Sequence, residues 1–153
     1  VTLPYRPGPG HLALELPADP QVLASLCALV KSYAASQGMP PRDCDRLELA
    51  VDEVCSNVVC HAFPGDPGHR FRVTMERAGD QVVVAVYDDG PGFEPQAIPP
   101  PDIRCPLEER QIGGLGLFLV HKTMDRVEYQ REAGTNCMVL AKTIAPMPSV
   151  AEA

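Results

Sequence analysis

The run "VVVAVYDDGPGFEP", residues 82–95, decides how the rest of the chain is read. Val82 to Tyr87 is apolar and rich in β-branched residues, which predicts a strand. It runs into Asp88-Asp89, and then Gly90 and Gly92 flank Pro91. Glycines so placed permit a sharp loop and let backbone come close to a flat ligand. Either aspartate could accept from an exocyclic amine while the glycine backbone packs beside a ring. A plain strand terminator with Asx-type turns uses the same residues. D-x-G-x-G by itself leaves both readings open.

Upstream, Phe71, Val73 and Met75 alternate and Ala78-Gly79-Asp80 turns, so residues 71–87 predict a hairpin. Phe63-Pro64-Gly65-Asp66-Pro67-Gly68 ends whatever precedes it. What precedes it is a long helix from about Pro41 to Ala62, with Leu47, Val51, Val54, Val58 and Val59 as its buried stripe. Opposite that stripe, Glu53, Asn57 and His61 recur every fourth residue and share a second face. An ordinary solvated face would account for them. Yet Asn57 is a poor mid-helix residue that usually has a specific partner. An Asn oxygen beside a Glu suits Mg²⁺ and a hydroxyl that must lose its proton. Earlier still, Asp19-Pro20 opens a helix carrying Leu23, Leu26, Cys27, Val30 and Ala34, and Gly38 closes it. "HLALELPA", residues 11–18, alternates as a strand, and an edge position is open to it.

Downstream, residues 93–112 hold five prolines and little periodicity, which predicts a lid more than a structureless loop. "GGLGLFLVHK", residues 113–122, places glycines at the mouth of a helix expected to run from Gly114 to Asp125. Free N–H groups and the helix dipole there suit phosphate, although helix packing alone would also explain Gly114 or Gly116. No Gly-Lys-Ser/Thr follows, so this is not a Walker A loop. "RVEYQRE" and "CMVLAKTI" read as a last hairpin turning at Gly134-Thr135-Asn136. Strands and helices are segregated along the chain. That favours an α+β two-layer α/β sandwich over a Rossmann-type fold. Lid, helix mouth and polar stripe together point to a nucleoside triphosphate with Mg²⁺.

Composition narrows the classes. The 153 residues suit one domain, expected over 11–143 between a flexible segment at 1–10 and a tail at 144–153. A formal charge of −7, from 13 Lys+Arg and 20 Asp+Glu, argues against direct nucleic-acid binding. The six cysteines form no CxxC pair, which argues against zinc and a disulfide framework. Cys27, Cys55, Cys60 and Cys137 read as small buried hydrophobes of a reducing, cytoplasmic compartment. No apolar run is long enough to predict a membrane span or a leader, and a start at Val1 is compatible with an excised domain.

Taken in order, "DEVCSNVVCHAF", "YDDGPGF" and "GGLGLFLVHKTMDRVEY" resemble the N box and the two glycine boxes of the GHKL (Bergerat-fold) ATPase superfamily. "GTNCMVLAK" resembles the closing hairpin, and the likeness spans about residues 10–143. Within that superfamily the chain is similar to the anti-sigma factor serine kinases of the SpoIIAB/RsbW type. The resemblance implies a mixed, mainly antiparallel sheet with an ATP lid, and ATP with Mg²⁺ as cofactors. It implies that Asn57 coordinates Mg²⁺, that Glu53 is the general base, and that Asp88 accepts from the adenine amine. Gly90 and Gly92 would shape the adenine pocket, while Gly114, Leu115, Gly116 and Leu117 would lie at the phosphates. Thr135 would support the Asp–adenine contact through water, and His61 and Arg110 would be supporting residues. The lid's "IPPPDI" departs from a glycine-rich pattern, and the register of Arg110 against the family's basic lid residue is unsettled.

The same resemblance implies a protein serine kinase acting on a STAS-domain anti-anti-sigma protein, a sigma factor as second partner, and a homodimer. The rival reading is an ATP-binding module that holds sigma factor or a STAS protein with little transfer activity, or a part of a larger regulator. A histidine autokinase and a gyrase- or Hsp90-like ATPase are disfavoured, since neither a phosphoacceptor helix nor a transducer domain is found in these residues.

Overall fold

The computed structural model describes residues 5–62, 68–92 and 114–144. The expected lid, with Arg110, and the tail beyond Ile144 lie outside the described residues. In chain order the elements are β1 (Leu12–Pro17), α1 (Leu23–Ser36), α2 (Pro41–Asn57), β2 (Arg70–Ala78), β3 (Gln81–Asp88), α3 (Gly114–Thr123), β4 (Arg126–Glu132) and β5 (Thr135–Thr143). The strands form a sheet of order β1-β2-β3-β5-β4, so β1 lies at one edge. A mixed sheet was expected; every pairing among the described residues is antiparallel. With three α-helices on the sheet among the described residues, the architecture is the α+β sandwich that the segregated order implies.

Local chemistry sets the helix ends. Asp19 accepts from the Gln21 N–H at 2.9 Å ahead of a short 3₁₀ turn, Pro20–Val22, that leads into α1. At the other end Gly38, at φ 91°, donates to Ala35 O at 3.0 Å, and Met39 donates to Ala34 O at 3.2 Å. That double closure is a Schellman motif, and buried Met39 supplies its apolar contact.

The helical layer covers one sheet face. Leu26, Val30 and Ala34 of α1, with Leu47, Val51 and Val54 of α2, pack on Val73, Val84, Val86, Met138 and Leu140. Leu117, Val120 and Met124 bring α3 into the same core. The other face is also buried. Val83, Ala85, Tyr87, Cys137, Val139 and Ala141 form a second cluster, with Tyr5 packed against it. Two buried faces explain why "VVVAVY" and "CMVLA" are continuous apolar runs rather than alternating ones.

Two residues of the expected flexible segment make specific contacts on that outer face. The Tyr87 hydroxyl donates to Tyr5 O at 2.7 Å, Gly8 N–H donates to the Glu76 carboxylate at 2.6 Å, and the Tyr5 hydroxyl also donates to Glu76. Burial and the Glu76 charge push the Tyr5 hydroxyl well above the usual phenol range.

Lys142, 8% exposed, fixes the far end of α3. Its ammonium donates to Thr123 O at 2.9 Å and lies 3.9 Å from both Asp43 and Asp125. A cation there completes the last turn of the helix. It also ties the end of α3 to the start of α2.

Four of the cysteines are buried, Cys27, Cys44, Cys55 and Cys137, but Cys60 is exposed, contrary to expectation. Cys60 lies seven residues beyond Glu53, two turns along the polar stripe, and so shares the polar face.

Candidate functional site

The polar stripe of α2 ends differently from a plain helix. α2 is α-helical only to Asn57, and Val58–Ala62 forms a π-helical turn. Asn57 is thus the last α-helical residue, not a mid-helix one as its spacing suggested. Val58 and Val59 of this turn are both buried. Such turns often occur where a helix is adjusted to a function. Glu53 and Asn57 are half-buried. His61 lies in the π-helical turn, and its side chain is outside the described residues.

Glu53 meets the second glycine segment. Gly116 lies in the first turn of α3, and a Cβ built on it would overlap the Glu53 carboxylate, both Cδ and Oε1. Only glycine lets the two approach so closely. Because Lys142 joins Thr123 to the Asp43 end of α2, α3 runs antiparallel to α2. The carboxylate therefore lies at the N-terminal turn of α3, where N–H groups without helical partners and the positive dipole end lie. Gly114 and Leu115 begin that turn, and Leu117 faces the core. A carboxylate beside an anion-binding helix start can orient a hydroxyl against a phosphate.

The first glycine segment is a hydrogen-bonded corner. Asp88 Oδ1 accepts from the Gly90 N–H at 2.9 Å, an Asx-type turn. It also accepts from Asn136 Nδ2 at 2.9 Å. The Asn136 amide donates further to Gly90 O at 2.9 Å, while its own Oδ1 accepts from the Tyr129 hydroxyl at 2.6 Å and from Arg131 at 2.5 Å. Arg131 donates to Gly90 O at 3.0 Å, and its side chain packs on Gly92 where a Cβ would come within 2.9 Å of it. Asp88, Asn136 and Arg131 are register partners across β3, β5 and β4. By strand alternation from Val86 and Met138, the first two face the helical layer. The turn reading of "DDGPGF" is borne out: the turn is built on the Asp88 carboxylate. Asp89 is drawn away from it by His69, whose Nε2 is 2.5 Å from the Asp89 carboxylate.

Thr135 is placed otherwise than its neighbour. The hairpin turns at Ala133-Gly134, both at positive φ (51° and 80°), so β5 begins at Thr135 instead of turning through Thr135-Asn136. That is the two-residue turn a right-twisted hairpin favours. Thr135 then shares the strand face of Cys137, opposite Asn136, and lines a shallow depression with Arg72, Tyr87, Asp88 and Asp89. Sequence reasoning missed Asn136, Tyr129 and Arg131. An Asn in an otherwise apolar strand, "TNCMVLA", was the available signal.

Oxygen donors of the Asn57 and Glu53 type suit Mg²⁺ held partly by phosphates. No group of three or more His, Cys, Asp or Glu that could form an all-protein metal cage occurs among the described residues. The donor set fits a shared metal.

Residues 16–142 match the family described as "Histidine kinase-like ATPase domain". The serine-protein kinase RsbW of Halalkalibacterium halodurans is 31% identical over 139 residues, covering 88% of this chain and 83% of that protein. RsbW of Listeria monocytogenes is 32% identical over 137 residues, 87% of each. Among solved structures, the RsbU and RsbW domains of Rv1364c from Mycobacterium tuberculosis share the fold at a TM-score of 0.64 and 20% identity, covering 90% of this chain and 33% of that one. The SiaB–SiaC complex from Pseudomonas aeruginosa does so at 0.56 and 16% identity, covering 87% and 89%. The chain therefore belongs to the histidine kinase-like ATPase domain family and, within it, to the serine-protein kinases of the RsbW type.

Proposed function

We propose that this protein binds Mg·ATP between α2 and α3 and transfers its γ-phosphoryl group to a serine of a STAS-domain anti-anti-sigma protein, binding a sigma factor as its alternative partner. The observation that carries this reading is the Glu53 carboxylate against Gly116 at the start of α3. Adenine lies at Asp88, with Gly90 and Gly92 beside the ring. The phosphates lie along Gly114, Leu115 and Gly116, where the α3 N–H groups and dipole favour them. Asn57 would hold Mg²⁺, which would supply charge neutralisation at the phosphate oxygens. His61 and Arg110 are supporting residues of this site, Thr135, which faces away from the helical layer, is not carried into it, and the working unit is a homodimer.

In the reaction the acceptor serine oxygen forms a bond to the γ-phosphorus as the bond to the bridging oxygen of ADP breaks. Glu53 orients the hydroxyl and takes its proton. The α3 amides stabilise charge on the transferring group. The experiment is incubation with labelled Mg·ATP and the candidate STAS protein, read as label on serine. Label on the partner is expected. ATP binding with no label transferred under any condition of Mg²⁺ overturns the kinase reading and leaves a binding module.

A further inference from the structure

We propose that Asn136 is a positioning residue that fixes the Asp88 carboxylate as a one-sided acceptor, and thereby makes the site select a 6-amino purine over a 6-oxo purine. This rests on the reading above that Asp88 meets the nucleobase. The amide of Asn136 has a single possible orientation. Its Oδ1 faces the Arg131 guanidinium, which can only donate, and its Nδ2 faces Gly90 O, which can only accept. The same Nδ2 reaches Asp88 Oδ1 at 2.9 Å, and the Gly90 N–H reaches that oxygen at 2.9 Å as well. Both donors converge on Oδ1. Rotating the carboxylate breaks two hydrogen bonds, so Oδ2 is the oxygen turned to a ligand.

A fixed acceptor discriminates by what it meets. The amine of adenine donates to Oδ2. The 6-oxo oxygen of hypoxanthine or guanine sets acceptor against acceptor and leaves both unpaired. Without Asn136 the carboxylate is held by one donor, and a water, which can donate or accept, enters the gap and serves either purine. The row Asp88–Asn136–Arg131 crosses three adjacent strands, so the last hairpin sets the geometry of the first glycine segment. Arg131 also covers Gly92, which couples the loop to the same row.

The test uses the full chain and compares dissociation constants for Mg·ATP and Mg·ITP, which differ in the 6-substituent and in N1, an acceptor in ATP and an N–H in ITP. The unsubstituted protein is expected to prefer ATP by roughly tenfold to a hundredfold, the range of one hydrogen bond to a charged group. Asn136→Ala is expected to bring the two constants within about threefold of each other, since ribose and triphosphate contacts are common to both. Asn136 is buried, so Arg131→Ala, at an exposed side chain, serves as a second variant and is expected to lose part of the preference. Variants that bind ATP yet keep the full preference overturn the role of Asn136 and leave nucleotide binding standing. An unsubstituted protein that binds no ATP, or binds ATP and ITP alike, overturns the placement of Asp88 at the base.

Discussion

The carboxylate of Glu53 occupies the space a side chain would need at Gly116. One contact thus joins the candidate base on α2 to the candidate phosphate-binding turn of α3. The prediction is that Gly116→Ala displaces Glu53 more than it unfolds the protein, because a flexible carboxylate can swing away. Transfer should fall on the order of a hundredfold, the cost of misplacing a reacting group by about 1 Å. Stability should change by about 1–3 kcal/mol at most. Melting and transfer measured on one preparation separate the two; an unchanged transfer rate contradicts the contact's role.

Asp88→Ala removes the proposed acceptor of the base and the carboxylate that receives the Gly90 and Asn136 donors. ATP affinity should drop about tenfold or more, by the loss of a hydrogen bond to a charged group. Calorimetric titration checks it, and an unchanged affinity removes Asp88 from the nucleotide site.

Buried thiols give a pH prediction. Burial pushes Cys27 and Cys137 from an ordinary 9.0 up to about 12, and Cys55 higher still. Tyr87 goes from 10.0 to about 12 for the same reason. The folded state keeps these protons where the unfolded chain releases them. Their contribution is therefore complete below about pH 9 and is lost as pH rises toward 12. Denaturant midpoints should decline from about pH 9 upward; midpoints that rise over that range contradict the assignment. In the native state at neutral pH, an alkylating reagent should modify exposed Cys60 and spare the four buried cysteines.

Much of this was legible because each local signal agreed with the fold. Asp19-Pro20, Gly38 and the Gly79-Asp80 turn punctuate the elements where structure puts them, and Leu47, Val51 and Val54 do face the core. Three things were hidden, each with a physical reason. A hairpin turn one residue away from its expected place moves Asn136 into the strand and Thr135 to the other face, since strand faces alternate at every residue. A π-helical turn leaves no trace in the periodicity of the apolar residues. Burial of the second sheet face depends on contacts such as Tyr5 on the Tyr87–Cys137 cluster, far apart in sequence. Cys60, by contrast, was readable and misread: two helical turns separate it from Glu53.

Glu53 is proposed to act on a serine hydroxyl in phosphoryl transfer from ATP. Single-turnover transfer from labelled Mg·ATP to the candidate STAS protein, with Glu53→Ala compared at saturating ATP, measures that role. The variant is expected to retain ATP affinity within a few-fold while transfer falls by about 10²- to 10⁴-fold, the usual contribution of general-base catalysis. Transfer by Glu53→Ala at the unsubstituted rate contradicts it.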